Sequence, residues 1–463
     1  MPRFTETISW RLLLFSFLFV YTSCHKNLKE EPIANGGDSQ TSFRFFGAAS
    51  KPNIIMFLAD DIGYEVPTYS GGQSYTTPNI DMLAARGMQF SHCFATPNCC
   101  PSRIELISGK YGVRNYIDWG IYDLSQKTFV NYLKDAGYAT CVAGKWQLGN
   151  GDAAARQMGF DNYLLFDPFT DADETGGTVR YKNPQLYKNG AYLPKSQTNG
   201  KYADDMFVDY ISQFVDSNKS KPFFVYYPLS LCHMPFCPTP DDPQYAAWNP
   251  LKDKSNKKYF PSMVKYMDKK IGEVITKIKD AGLSQNTIFV FSGDNGTPPS
   301  IYSQFQGRSI EGGKRLPTEF GVHVPLVVSG PSLIAPGIIQ PAIVDYSDFF
   351  TTFTDIAGIS SATLATAGLL DSKSFYPYLV SNTPTAARTW SYCYWKPDLS
   401  IPKQNKHFVQ DIAYKLYDST NANKFFNISV DSFEKAPLRS NQLTPYEKGV
   451  KKNFQDIIAA MHN

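Results

Sequence analysis

Asn53-Ile54-Ile55-Met56-Phe57-Leu58-Ala59-Asp60-Asp61 is an uninterrupted apolar run that ends abruptly in two adjacent carboxylates. A run of this length without alternating polar residues predicts a strand that is buried on both faces, as in a parallel sheet covered by helices. Ligands collect at the carboxyl ends of strands in such sheets, so Asp60 and Asp61 are candidate site residues. Aspartate is also common in solvated turns, and this stretch alone leaves both interpretations open.

Three later segments show the same arrangement of an apolar run followed by polar or charged residues. The runs and the groups that follow them are 138–143 with Lys145, 222–227 with His233, and 287–291 with Asp294 and Asn295. Amphipathic helical patterns lie between the runs, and the clearest has an apolar face of Val264, Met267, Ile271, Val274, Ile275 and Ile278. Alternating strands and helices predict an α/β fold with a large, mostly parallel sheet flanked by helices.

The strand ends together supply an all-oxygen set of ligands. Asp60, Asp61, Asp294 and Asn295 would offer three carboxylates and one amide, which suits a hard divalent cation such as calcium. The sequence argues against zinc, because it has no Cys-x-x-Cys pair and its six histidines are scattered.

A second decisive stretch is Asn98-Cys99-Cys100-Pro101-Ser102-Arg103-Ile104-Glu105-Leu106-Ile107-Ser108-Gly109. Proline suits the first turn of a helix, where free backbone N–H groups favour anions, and Arg103 adds a full positive charge one turn later. The pattern therefore predicts an anion site beside a nucleophilic thiol. A buried cysteine pair at a helix start is the plainer alternative.

Cys99-x-Pro101-Ser102-Arg103, with Leu106 and Gly109 downstream, resembles the signature of the type I sulfatases of the alkaline phosphatase-like superfamily. The resemblance implies that the first cysteine is oxidised to formylglycine by a maturation enzyme, and that the hydrated aldehyde attacks the sulfur of a sulfate ester. The sulfated residue then collapses to the aldehyde and releases sulfate.

The other strand ends resemble the same family, so the likeness extends over most of the chain from Lys51 to Met461. It implies that the metal is held by Asp60, Asp61, Asp294, Asn295 and the modified residue 99. It also implies that sulfate and the leaving oxygen are contacted by Lys145, His233 and Lys314, the last within Gly312-Gly313-Lys314-x-x-x-x-Glu319-x-Gly321. Asp294 would assist deprotonation of the nucleophile, and Arg103 would steady formylglycine.

The chain departs from the family pattern at several positions. Gln147 stands where the family usually has a histidine, so we expect residue 147 to contact substrate without carrying a proton. His233 is then the remaining general acid among the motif residues. Arg315-Leu316-Pro317-Thr318 and His323 also differ from the family, and these changes bear on loop shape.

The ends of the chain predict export and a second folding unit. Arg3, Arg11 and a short apolar run indicate a signal peptide at 1–23, and 24–50 has the composition of a flexible tether. Lipid attachment at Cys24 would place the protein at the periplasmic or outer-membrane surface; ordinary secretion is the alternative. We expect a catalytic domain over 51–370 and a smaller subdomain of antiparallel strands plus a helix over 371–463. The candidate strands of this subdomain are 390–395, 407–410 and 413–417, and Thr444-Pro445-Tyr446-Glu447 has the pattern of a capping box at the start of the last helix.

Composition narrows the class of partner. The 463 residues carry 45 Lys and Arg against 42 Asp and Glu, and this balance of +3 gives no reason to expect nucleic-acid binding. The resemblance implies a sulfated small molecule or glycan as substrate.

Two alternative functions remain open: a phosphomonoester or phosphonate hydrolase of the same superfamily, and a catalytically silent relative that binds sulfated glycans without oxidation of Cys99. Disulfide pairing among the other cysteines is also open, with Cys232 and Cys237 the first pair to examine.

Overall fold

The apolar segment that precedes Asp60 forms strand β1 (Asn53–Ala59), and every residue of that strand is buried. It lies inside a ten-stranded sheet in the computed structural model. The structure describes residues 51–118, 121–169, 180–330, 334–381, 388–395 and 406–461. These residues belong to one compact unit, whereas the predicted signal peptide, the tether and Cys24 lie outside them.

The described strands after β1 are β2 (Met88–Phe94), β3 (Tyr116–Asp118), β4 (Ile121–Tyr122), β5 (Ala139–Lys145), β6 (Asn162–Phe166), β7 (Leu186–Lys188), β8 (Ala191–Tyr192), β9 (Phe223–Pro228), β10 (Thr287–Gly293), β11 (Tyr302–Phe305), β12 (Arg308–Glu311), β13 (His323–Ser329), β14 (Ile338–Asp345), β15 (Ser391–Trp395), β16 (Lys406–Gln410), β17 (Tyr414–Tyr417) and β18 (Phe425–Asn427).

The described α-helices are α1 (Pro78–Ala85), α2 (Cys99–Ser108), α3 (Gly112–Asn115), α4 (Phe129–Asp135), α5 (Gly151–Gln157), α6 (Lys195–Thr198), α7 (Ala203–Asn218), α8 (Phe260–Asp280), α9 (Glu319–Val322), α10 (Asp348–Ile356), α11 (Ser361–Leu364), α12 (Tyr376–Ser381) and α13 (Pro445–Met461).

The large sheet has the order β14-β2-β13-β10-β1-β9-β5-β6-β7-β8. Its centre is parallel, because β1 pairs in parallel with both β10 and β9, and the parallel pairing continues through β5 to β6. Antiparallel pairs occur nearer the edges, where β13 lies between β10 and β2. The predicted α/β class with a mostly parallel sheet is therefore confirmed.

Helices cover both faces of the sheet, and β1 shows why its sequence is apolar throughout. Alternate residues of β1 point to opposite faces. Ile54, Met56 and Leu58 join the core that contains residues of α2, α4 and α10. The other three core residues of the strand, Ile55, Phe57 and Ala59, join the core that contains residues of α1, α7 and α8. Helix α8 buries five of the six residues of its predicted apolar face, and Ile275 is partly buried.

The C-terminal part contains the predicted antiparallel sheet, of order β15-β16-β17-β18, and the helix α13. Thr444 and Glu447 form the predicted capping box, in which Thr444 Oγ1 accepts from the Glu447 backbone N–H at 3.2 Å and Glu447 Oε2 accepts from the Thr444 backbone N–H at 2.8 Å. Three strands were predicted, and β18 is an addition. The domain boundary at residue 370 stays a prediction.

The seven cysteines in the described ranges are all free, and Cys232 and Cys237 do not form a disulfide. Both lie in the apolar core beneath α8, where they pack as small hydrophobic side chains. Within the same ranges, no helix combines the length and the apolar character that spanning a membrane requires.

Candidate active site

The carboxyl ends of β1 and β10 bring the predicted metal ligands together. Ala59 and Gly293 are partners in the parallel register, so the residues that follow them leave the sheet side by side. Asp294 donates its backbone N–H to Ala59 O at 3.0 Å, and Asp294 Oδ1 accepts from the backbone N–H of Asp61 at 3.0 Å. Asp60, Asp61 and Asp294 are fully buried.

These residues fit a hard cation. Asn295 Nδ2 donates to Asp61 Oδ1 at 2.8 Å, which turns Asn295 Oδ1 the other way; that oxygen is buried and has no hydrogen-bond donor among the described residues. A buried amide oxygen without a donor is expected where a cation takes its lone pair. The donor atoms of Asp60, Cys99 and Asp294 also lie within 4.8 Å of one another. The site thus offers carboxylate and amide oxygens, as calcium prefers.

Burial disfavours charge on these carboxylates, and their pKa values show the cost of packing them together. Burial and the neighbouring charge of Asp60 raise the pKa of Asp294 to about 7, although Arg103 acts in the opposite direction. Burial also raises the pKa of Asp61, against the opposing charge of Lys314. Asp60 differs: burial raises its pKa, but Lys145, Arg103, Arg180 and the neighbouring His233 outweigh that effect and hold it below the ordinary value.

Cys99 begins α2, close to the carboxylates. Asn98 precedes the helix in an extended conformation, and its Oδ1 accepts from the Cys99 backbone N–H at 3.0 Å. Every residue of α2 is buried, because the helix packs among α3, α4 and α10. A hydrogen bond from Cys100 and the charges of Lys145 and Lys314 hold the pKa of Cys99 well below its ordinary value despite burial.

Arg103 faces Asp294 from the next turn of α2. Its Nε and Nη2 both donate to Asp294 Oδ2, at 3.0 and 2.8 Å, and its Nη1 donates to the carbonyl of Lys145 at 3.2 Å. The side chain is fully buried. Arg103 therefore ties the helix that carries Cys99 to the ends of β10 and β5.

The two predicted sulfate-binding lysines both reach the carboxylate cluster. Lys145, the last residue of β5, donates to both oxygens of Asp60, at 2.9 and 2.7 Å. Lys314 donates to Asp61 Oδ2 at 2.7 Å. Burial opposes the charge of Lys314, but the Asp61 carboxylate raises its pKa. Both ammonium groups are thus fixed by carboxylates, and both lie close enough to Cys99 to act on its pKa.

Lys314 owes its position to a close approach between two loops. Its backbone N–H donates to Thr297 O at 2.9 Å, in the loop that follows β10. A Cβ on Gly313 would lie 2.4 Å from the backbone nitrogen of Gly321. Only glycine permits this contact, which explains the glycine before the lysine in the sequence motif.

His233 lies in the loop after β9. Its Nδ1 contacts Met234 O at 2.6 Å, so the proton of the neutral ring is placed on Nδ1 and Nε2 is left for the site. Nε2 lies 3.9 Å from Asp61 Oδ2. Burial and the charges of Lys314 and Arg180 hold the pKa of His233 well below its ordinary value.

Gln147 also faces Cys99. Its Oε1 is 3.9 Å from Cys99 Sγ, and its Nε2 donates to Asp167 Oδ2 at 2.8 Å. The residue has a positive φ of 50°, in the turn that follows β5. The structure therefore gathers all ten predicted site residues at one end of the sheet.

Two further side chains belong to this region and were missed from the sequence. Asp167 follows β6 and holds the amide of Gln147. Arg180 is 3% exposed, and its Nη1 donates to Asp60 Oδ2 at 3.2 Å. Neither position belongs to a motif in the sequence; for Asp167, its place directly after an apolar run was the one available signal.

Comparison with known proteins identifies the family. A family model described as Sulfatase matches residues 52–359. The N-acetylgalactosamine-6-O-sulfatase of Bacteroides thetaiotaomicron is 28% identical over 423 residues, which cover 75% of this chain and 78% of that protein. The N-acetylgalactosamine-6-sulfatase of Canis lupus familiaris is 28% identical over 346 residues, which cover 68% of this chain and 64% of that protein.

The fold agrees with solved structures. A crystal structure of Ps i-CgsB in complex with k-i-k-neocarrahexaose has a TM-score of 0.70 to this chain at 23% identity, and the match covers 89% of this chain and 93% of that one. At this level of identity the likeness shows a shared architecture. Together with the family model, which spans more than half of the sequence, it leads to one conclusion: the chain belongs to the sulfatase family and is a sulfuric ester hydrolase by descent.

Proposed function

We propose that this protein is a calcium-dependent sulfatase that uses formylglycine, made from Cys99, to hydrolyse a sulfate ester on a carbohydrate. The observation that carries the proposal is the position of Cys99. Its thiol lies at a helix start among a buried oxygen cluster and the fixed ammonium groups of Lys145 and Lys314. Such a site concentrates positive charge around a nucleophile, as attack on an anionic ester requires.

The nucleophile and the metal each supply one piece of chemistry. Formylglycine at position 99 supplies a hydrated aldehyde, which is a nucleophile for sulfur. Asp60, Asp61, Asp294, Asn295 and residue 99 would hold calcium, which would supply positive charge to offset the negative charge of the sulfate ester. Asn295 Oδ1, which is buried and accepts no hydrogen bond from the described residues, supports this ligand set.

The chain's own side chains bind and orient the ester. Lys145 and Lys314 donate hydrogen bonds to sulfate oxygens and offset charge as it develops on them. Asp294 accepts the proton of the nucleophile, and Arg103 holds the Asp294 carboxylate in position through two hydrogen bonds. His233 lies with Nε2 toward the site, where it serves the departing oxygen.

A sulfated glycan is the substrate class that the comparisons favour. The bacterial relative at 28% identity is named for an N-acetylgalactosamine bearing a 6-O-sulfate. The predicted export signal and the predicted lipid site at Cys24 fit a protein that meets glycans outside the cytoplasm, at the periplasmic face, at the outer-membrane surface or after secretion. A formylglycine-generating enzyme would be its partner during maturation.

Mass spectrometry and turnover together test this function. The protein is co-expressed with a maturation enzyme, and the peptide containing Cys99 is examined for conversion of the thiol to an aldehyde. Matched aryl sulfate and aryl phosphate esters are then compared. We expect conversion and a preference for the sulfate ester; faster phosphate hydrolysis would favour the phosphoester alternative. An unmodified Cys99 with retained glycan binding would favour the silent relative.

A further inference from the structure

We propose that Arg180 is a sulfate-binding residue of this enzyme, a third cation that contacts the sulfate group beside Lys145 and Lys314. This inference rests on the sulfatase function proposed above. It concerns a residue outside every motif that the sequence displays, in the segment between β6 and α7. Three observations about its contacts and burial carry it, together with a fourth about Gln147.

The first observation is that Arg180 and Lys145 meet at one atom. Arg180 Nη1 lies 3.2 Å from Asp60 Oδ2, and Lys145 Nζ lies 2.7 Å from the same oxygen. Lys145 is one of the residues expected to hold sulfate. A guanidinium that shares its carboxylate partner lies within reach of the same ligand.

The second observation is an unused donor. Arg180 is 3% exposed, and its Nε is buried without a hydrogen-bond acceptor among the described residues. A buried N–H group on a charged side chain is costly when it has no partner. A sulfate oxygen would provide the acceptor, and guanidinium groups are well suited to tetrahedral oxyanions because their donors form a planar fork.

The third observation is that the guanidinium is held rigidly. Its central carbon lies 4.7 Å from the centre of the Phe166 ring. Phe166 ends β6 and is the register partner of Lys145. The next residue is Tyr181, whose hydroxyl oxygen lies 2.6 Å from Ser230 O and 2.5 Å from His233 O, so its one proton is shared between the two carbonyls. The segment is therefore fixed both to the sheet edge and to the loop that carries His233.

The fourth observation concerns Gln147, which takes the place of a residue that is usually a histidine in this family. The Gln147 amide is neutral and its Nε2 is committed to Asp167. This chain therefore lacks a cationic group at that position. Arg180 supplies positive charge from a different segment, close enough to act on Asp167, the partner of the Gln147 amide. It binds the sulfate group without taking part in proton transfer.

The competing explanation is that Arg180 acts on Asp60 alone and only shapes the metal site. The two explanations differ in one measurable quantity, the affinity for sulfate when calcium is saturating. A residue that acts through Asp60 changes the affinity for calcium. A residue that contacts the ligand changes the affinity for sulfate even after the metal site is full.

The test is calorimetric titration of inorganic sulfate into the matured protein at saturating calcium. Arg180→Ala and Arg180→Gln are compared with the wild type, and a parallel titration gives the calcium affinity of each protein. Arg180→Gln retains bulk and a hydrogen bond to Asp60, so it serves where the alanine variant does not fold. Arg86→Ala is the matched control, since Arg86 is exposed at the end of α1, outside the site.

We expect both Arg180 variants to bind sulfate at least fivefold more weakly than the wild type, with Arg86→Ala unchanged. A loss of less than fivefold in the folded variants overturns the inference, whether or not the calcium affinity falls. The proposed function fails differently: in that case the wild-type protein itself neither binds sulfate nor hydrolyses sulfate esters.

Discussion

Arg103 and Asp294 form a buried ion pair in which two guanidinium nitrogens, Nε and Nη2, donate to the single oxygen Oδ2 at 3.0 and 2.8 Å. The other oxygen, Oδ1, accepts the backbone N–H of Asp61. Asp294 is thereby fixed from two directions, by the helix that carries Cys99 and by the turn after β1. The helix that carries Cys99 and the proposed metal ligands are therefore held in one rigid arrangement that does not depend on the thiol of Cys99.

Replacement of Cys99 by alanine should remove activity and preserve the fold. The side chain is small, and the ion pair that joins α2 to the sheet remains, so we expect a melting temperature within a few degrees of the wild type. Loss of a covalent nucleophile should lower kcat by more than about 10³-fold. Turnover of an aryl sulfate and thermal unfolding measure the two effects.

Cys100→Ala is the matched control for that experiment. Cys100 lies in the same first turn of α2 and is equally buried, but it is not the residue predicted to be oxidised. We expect it to retain turnover. Full activity in Cys99→Ala would contradict the assignment of the nucleophile.

Removal of calcium should abolish activity and lower the melting temperature. Three buried carboxylates repel one another, and a bound cation relieves that repulsion; a ligand at 100 times its Kd stabilises the folded state by about 2.7 kcal/mol. Lys145 and Lys314 pair with Asp60 and Asp61, so the chelated protein should remain folded at moderate temperature. Chelation followed by thermal unfolding and turnover assays provides the measurement.

Readdition of metals separates the possible ligand sets. Calcium should restore both the melting temperature and turnover to the chelated protein, because the site offers oxygen ligands. Rescue by zinc and not by calcium would show that the proposed ligand set is wrong.

The sequence predicts those parts of the site that follow directly from strand ends. Asp60, Lys145 and Asp294 each stand within a few residues of a continuous apolar run, and parallel strands must bring such positions to one edge. Their meeting is therefore a consequence of local pattern plus one topological rule. The α/β class follows from the same alternation of strands and helices.

Arg180 shows where that reasoning ends. No period or motif marks it, and its contact with Asp60 joins residues 120 positions apart in the chain. The position of the antiparallel strand β13 could not be predicted for the same reason: its place between β10 and β2 depends on long-range pairing and not on its own sequence. Strand β18 was missed because it has three residues, too few to show a pattern.

Buried Asp204 should make the stability of the protein depend on pH. It lies at the start of α7, fully buried, and burial raises its pKa from the ordinary value of 3.8 to about 7. The folded state therefore binds the proton of Asp204 more tightly than the unfolded state does. The contribution of Asp204 to the free energy of unfolding is favourable at low pH and is lost as the pH rises toward 7. Asp204→Asn should remove this loss.

The stability advantage of Asp204→Asn over the wild type should grow by about 2.7 kcal/mol between pH 5 and pH 8, because the difference accumulates at about 1.36 kcal/mol for each pH unit from 5 up to the folded-state pKa of about 7. The amide of this variant would keep an oxygen to accept from the Tyr227 hydroxyl, as Asp204 Oδ1 does at 3.1 Å. Urea unfolding at the two pH values measures the difference. Asp209→Asn, at an exposed position of the same helix, should show no such trend; an equal trend there would refute the assignment.

The identity of the leaving group should reveal what His233 does. His233 Nδ1 is engaged by Met234 O, so Nε2 is the atom that faces a departing oxygen. Nε2 delivers a proton when the ring is in its cationic form, which the negative charge of a bound sulfate ester favours, whereas the amide of Gln147 cannot deliver one. General-acid help is worth about 10²–10⁴-fold and matters most for a strongly basic leaving group. A sugar alkoxide is very basic, but a nitrophenolate leaves almost unaided.

We therefore expect His233→Ala to lower kcat/KM for a sulfated sugar far more than for a nitrophenyl sulfate. Gln147→Ala is the matched control: its Oε1 lies 3.9 Å from Cys99 Sγ, so both substrates should lose activity alike. Measurement of kcat/KM for two substrates in two variants gives four ratios to the wild type. Equal losses for both substrates in His233→Ala would show that His233 only hydrogen-bonds the sulfate group, because a binding contact acts before the leaving group departs and does not depend on its basicity.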